Sequence, residues 1–125
     1  MLVLSVMDAV LAVCRLGPSD DIPAWGLKHK GFFSITRTAE ELSIVCLQEN
    51  VPLSVKAEKG WRFLKVEGPL DFGLTGILSS LAQPLAAAKI SIFAISTYDT
   101  DYVLLKEVHL AKAVEVLSSF CKILG

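Results

Sequence analysis

Ile90-Ser91-Ile92-Phe93-Ala94-Ile95-Ser96-Thr97-Tyr98-Asp99-Thr100-Asp101-Tyr102 is the stretch whose reading decides the fold. Ile90, Ile92 and Ala94 alternate with Ser91, Phe93 and Ile95, which is the period of a strand, and both faces of that strand are largely apolar. We read a strand over 90–98, a turn at Asp99-Thr100-Asp101 and a returning strand over 102–106. Upstream, Leu70, Leu74, Ile77, Leu78, Leu81 and Leu85 recur every three or four residues, which predicts a sheet-packed helix over 70–88. Asp71 is placed to cap its start, and Pro84 predicts a kink or break. Before it, Gly68-Pro69 ends a strand over 61–67. Downstream, Leu110, Ala113, Val114 and Leu117 predict a second amphipathic helix over 109–120.

The order in this half is therefore β-α-β-β-α, with two helices on one face of an antiparallel sheet, a ferredoxin-like pattern. The first half reads as strands over 2–16, 32–37 and 42–47. Gly17-Pro18-Ser19-Asp20-Asp21 makes a turn, a short helical turn is expected near Trp25, and 48–59, with Pro52, reads as loop or short helix. That is a degenerate copy of the same unit, alike in topology and length rather than in identity. The expected domains are an N-terminal unit over 1–60 and a C-terminal unit over 61–125.

Composition narrows the partners. Twelve basic and 13 acidic residues leave a net charge of -1, with no basic stripe, so a nucleic-acid partner is not expected. The apolar run that opens the chain is broken by Asp8, is too short to span a bilayer and follows no basic segment, so neither a membrane nor a secretory role is expected. A hydrophobic share of 53% is above the usual globular level, and the two-sided apolar strands add to it, so a homodimer is expected. Cys14, Cys46 and Cys121 form neither a disulfide framework nor a metal signature. We expect free, buried thiols in a reducing cytoplasm.

The quoted stretch, together with Glu67-Gly68-Pro69-Leu70-Asp71-Phe72-Gly73-Leu74-Thr75-Gly76-Ile77-Leu78 and the first-half segments 32–38 and 40–46, resembles the ACT domain family. Within it the chain resembles small bacterial tandem-ACT proteins related to the regulatory region of aspartate kinase and to cytosolic arginine sensors. The resemblance implies an α+β fold of two βαββαβ-type units side by side and regulatory binding of a free amino acid. A departure stands before the last helix, where an acidic cap is expected and Val108-His109 follow Glu107.

The residues themselves offer two half-sites. The turn at Gly68, Asp71, Phe72 and Gly73 leads into a helix, and its N–H groups and the helix dipole suit a carboxylate. The same glycines also serve tight helix–sheet packing. Ser96, Thr97, Asp99 and Asp101 put carboxylates and hydroxyls on one hairpin, which suits an ammonium or guanidinium group, though Asp99 also suits a simple Asx turn. The two segments lie at opposite ends of adjacent elements, so the pairing of units is expected to bring them together. Neither histidine, His29 nor His109, accompanies a nucleophile motif, and there is no phosphate loop, so no enzyme, cofactor or metal is expected. The other reading of the chain is a structural association module without a ligand.

Overall fold

A computed structural model describes residues 2–27, 31–68 and 76–125. It is α+β, with strands β1 (Leu2–Leu16), β2 (Ser34–Arg37), β3 (Leu42–Leu47), β4 (Ala57–Val66), β5 (Phe93–Ser96), β6 (Asp101–Lys106) and β7 (Cys121–Leu124), and helices α1 (Ile77–Ala87) and α2 (Leu110–Leu117). The chain divides into two compact units, Met1–Asp8 with Arg62–Gly125 and Ala9–Trp61. We call these the C-terminal and N-terminal units.

In the C-terminal unit the strand order is β5-β6-β4-β1, with β7 beside β1. β5 and β6 pair antiparallel, whereas β7 lies parallel to β1, opposing Leu2 to Cys121 and Ser5 to Leu124. Alternation sends Leu4, Leu64, Val66, Val103 and Leu105 to one face, where they pack with Leu81 and Leu85 of α1 and Ala113 and Leu117 of α2. Both helices therefore cover the same face. The opposite face is apolar too, with Phe63 and Leu104 buried and the Phe63 and Tyr102 rings 6.2 Å apart.

The N-terminal unit has strand order β2-β3-β1-β4, with β3 antiparallel to both β1 and β2. Its core is Ala12, Cys14, Leu42, Ile44, Cys46 and Val51. Among the described residues it has no α-helix, only 3-10 turns at Ala24–Leu27 and Gln48–Asn50. All three cysteines are free and buried. The Cys14 thiol, hydrogen-bonded to Cys46 and buried, titrates well above its usual range.

Several expectations shift. α1 starts at Ile77 with Gly76, in the left-handed region at φ 78, as its cap; Asp71, the expected cap, lies outside the described residues. Pro84 does not end α1, which runs on to Ala87; the proline gives up its own N–H bond and crowds the carbonyl one turn back, and buried Leu81 and Leu85 anchor the helix on both sides. β5 begins at Phe93 rather than Ile90 and ends at Ser96, where the Thr97 N–H donates to Thr100 O and closes the turn two residues early. Ser96 and Asp101 are consequently facing strand residues. Ala94 and Ser96 are exposed, so β5 supplies less two-sided apolar surface than its sequence suggests. The final helix stops at Leu117, short of the expected Phe120, and β7 follows after a turn over 118–120.

The two hairpins repeat. β2, β3 and the 3-10 turn after them begin at 34, 42 and 48; β5, β6 and the corresponding turn begin at 93, 101 and 107, each a step of 59. The strands leading in end at Leu16 and Val66, a step of 50. The extra nine residues fall where the C-terminal unit carries α1 and the N-terminal unit a 3-10 turn.

Candidate functional site

The site forms where β4 ends against the β5–β6 hairpin. Val66 points into the helix-covered core, so by alternation Lys65 and Glu67 point to the other face. Glu67 donates its N–H to Val3 O at 2.8 Å and accepts the Ser5 hydroxyl on Oε2 at 2.5 Å. Lys65 Nζ lies 3.6 Å from the other Glu67 oxygen. The Ser5 hydroxyl and the Lys65 charge hold the Glu67 carboxyl below its usual range.

The hairpin tip is rigidly made. Thr97 donates its N–H to Thr100 O at 2.8 Å and its hydroxyl to the same oxygen at 3.1 Å, while the Thr100 N–H donates to Thr97 Oγ1 at 3.3 Å. Thr100 then donates its hydroxyl to Val66 O, fastening the tip to the end of β4. This side-chain bracing of a tight turn is what serine and threonine do at such positions.

Between these parts lies a cavity of about 200 Å³ lined by Lys65, Gly68, Thr97, Asp99, Thr100 and Tyr102. Its lining residues include one lysine and one aspartate, together with two threonines and a tyrosine. A broader, more open hollow of about 470 Å³ beside α1 has Lys89 as its one charged lining group and no carboxylate. Among the described residues, no group of three or more histidine, cysteine, aspartate or glutamate side chains is placed to hold a metal.

Of the residues singled out in the sequence, Gly68, Thr97 and Asp99 come together here, within a single unit. Ser96 and Asp101 do not line the cavity; the Ser96 hydroxyl donates to Asp101 Oδ1 at 2.5 Å across the hairpin. Asp71, Phe72 and Gly73 lie outside the described residues. Lys65, Thr100 and Tyr102 went unnoticed in the sequence. The signal for Lys65 was available, since a lysine one residue before a buried strand end, with a glutamate two further on, faces away from the core.

A family model for the ACT domain matches residues 56–119, and a second model, of an N-terminal domain, matches residues 10–54. The chain is 36% identical over 93 residues to the human cytosolic arginine sensor for mTORC1 subunit 1, a match covering 70% of this chain and 26% of the sensor. It thus spans about a quarter of the length of the arginine sensors it matches. A crystal structure of an Agrobacterium tumefaciens protein superimposes with a TM-score of 0.92 at 39% identity, covering 98% of this chain and 92% of that one. The crystal structure of aspartokinase alpha and beta subunits superimposes with a TM-score of 0.65 at 13% identity, covering 93% and 95%, and speaks to the fold. No helix among the described residues is long and apolar enough to cross a membrane. The chain belongs to the ACT domain family.

Proposed function

We propose that this protein is a regulatory module that binds a free amino acid in the cavity at the end of β4. The observation that carries the reading is the pairing, in one small cavity, of the Lys65 ammonium with the Asp99 carboxylate. A free amino acid bears a carboxylate and an ammonium on one carbon, so its binder needs both charges a few ångströms apart. Its carboxylate would face Lys65 and the backbone at Gly68, and its ammonium would face Asp99. A cavity of about 200 Å³ suits a ligand of that size, being smaller than the ~300–1,000 Å³ of pockets for larger molecules. Asp71, Phe72 and Gly73 remain in the proposed site on the strength of their sequence, next to Gly68. Ser96 and Asp101 brace the turn that carries Asp99.

The role is sensing, not catalysis, in keeping with relatives named as an arginine sensor. We read the two units as a tandem of ACT-type units that divide near residues 60–61, with Met1–Asp8 counted in the C-terminal unit; the recurrence of hairpin and 3-10 turn at a step of 59 supports this. A cytoplasmic homodimer completes the proposal, with light scattering at micromolar concentration as its check.

A thermal-shift panel of the twenty amino acids tests the binding, since a ligand held only by the folded state raises apparent stability. At least one amino acid, arginine included in the panel, is expected to raise the melting temperature. A flat panel would leave the fold as a ligand-free association module.

A further inference from the structure

The threonine turn of the candidate site occurs twice in the chain, with Glu41 standing where Thr100 fastens the C-terminal hairpin to Val66 O. Thr38 makes the turn that Thr97 makes 59 residues later: its N–H donates to Glu41 O at 2.9 Å, its hydroxyl donates to the same oxygen, and it accepts the Glu41 N–H at 3.2 Å. With the steps of 59 and 50 read from the elements, Glu40 corresponds to Asp99, Arg15 to Lys65, Pro18 to Gly68 and Arg37 to Ser96. The charged pair that lines the C-terminal cavity thus has a charged pair, Arg15 and Glu40, as its counterpart.

The N-terminal copy is filled from within. Arg15 reaches the turn and donates Nη2 to Glu40 O at 3.1 Å. Arg37 donates Nη1 to Pro18 O at 2.5 Å and Nη2 to Asp20 O at 2.8 Å, a planar fork over two carbonyls. In the C-terminal unit the position of Arg37 holds Ser96, too short to span the gap and bonded to Asp101. The position of Gly17, which has no side chain to draw Arg15 away, holds Glu67. Glu67, anchored by Ser5, keeps Lys65 Nζ at 3.6 Å.

We infer that the N-terminal unit contains a second copy of the ligand site, a guanidinium-binding frame occupied by the chain's own Arg15 and Arg37, while Glu67 holds the C-terminal copy open. One site per chain is then free for a ligand. The N-terminal frame stands on its own hydrogen bonds; the claim of one free site rests on the amino-acid reading above.

Two experiments divide along that line. In the first, Arg37→Ser vacates the N-terminal frame and lowers the melting temperature. Millimolar guanidinium chloride then restores much of the loss, whereas equal sodium chloride or urea does not, and wild type shows no such gain. Guanidinium acting no better than sodium would overturn the inference, whatever the amino-acid panel shows. In the second, Ser96→Arg plugs the C-terminal frame and abolishes the thermal response to the amino acid that shifts wild type, while Ser96→Ala retains it. A Ser96→Arg protein that folds, by circular dichroism, and responds as wild type would show the two frames are not equivalent. If wild type responds to no amino acid, the functional reading falls and the guanidinium experiment alone decides.

Discussion

Thr100, only 5% exposed, donates its hydroxyl to the carbonyl oxygen of Val66 across 34 residues of chain. That bond joins the hairpin carrying Asp99 to the strand carrying Lys65, so the relative position of the two charges depends on it. Thr100→Val keeps the shape and leaves the Val66 oxygen without this donor. The expected cost is about 1–3 kcal/mol, read from denaturant unfolding. Loss of ligand response should exceed what the stability change explains; an unchanged protein would show the hairpin is held by packing alone.

Lys89 ends α1 in the left-handed region at φ 62, a conformation glycine adopts without strain. The Lys89 N–H donates to Ala86 O and the Ile90 N–H to Leu85 O, both at 2.9 Å, and Leu85 and Ile90 are buried, which is the bonding and apolar contact of a left-handed helix stop. Lys89→Gly is expected to raise stability by up to about 1 kcal/mol, the relief of strain outweighing the added freedom of the unfolded chain. Differential scanning calorimetry checks the sign, and a fall in melting temperature would contradict it.

The depressed Glu67 carboxyl gives the site an acid limit. Its pKa is lowered from 4.5 by the Ser5 hydroxyl and by Lys65. Stability from this group is therefore fully present above 4.5 and is lost as pH falls through the lower folded value. Protonation also releases Lys65 toward the turn, so ligand binding should weaken over the same range. Ser5→Ala should move the Glu67 titration upward in carboxyl-detected NMR; no movement would show that the Ser5 bond does not govern it.

Cys14, Cys46 and Cys121 are buried, and burial together with the Cys14–Cys46 hydrogen bond disfavours the thiolate of Cys14. Burial likewise raises Cys121. Thiol titration without denaturant should be slow for all three and fast once the protein is unfolded. Rapid modification of the native protein would contradict the assigned cores.

The sequence carried the architecture well where period and length agreed. β3 falls on the expected 42–47, and Ile77, Leu78, Leu81 and Leu85 of α1 and Leu110, Ala113 and Leu117 of α2 pack in the core as their spacing predicts, Leu70 and Leu74 lying outside the described residues. It misplaced the β5–β6 turn because Thr97, read as strand, uses its own side chain to close the chain early. β7 lies just past the expected last helix, at residues to which the apolar pattern gave no element. Ser118 and Ser119 donate their hydroxyls back to Val114 O and Val116 O, ending the helix with the apolar pattern still running. The charged pair was half legible: Asp99 stood out on its turn, whereas Lys65 reads as an ordinary solvated strand residue until its opposition to the hairpin is known. The repeat was visible only as topology, since its step changes from 50 to 59 where α1 is inserted.

The central claim is that Lys65 and Asp99 hold one amino acid between them. Isothermal calorimetry, using the amino acid that most raises the melting temperature, tests it on wild type, Lys65→Gln, Asp99→Asn and Asp101→Asn. The account predicts one site per chain in wild type and a roughly ten- to hundred-fold weakening for Lys65→Gln and Asp99→Asn, equal to about 1.4–2.7 kcal/mol. Asp101→Asn, which alters only the brace to Ser96, should stay within about three-fold of wild type, under about 0.7 kcal/mol. Wild-type affinity in both Lys65→Gln and Asp99→Asn would contradict the account.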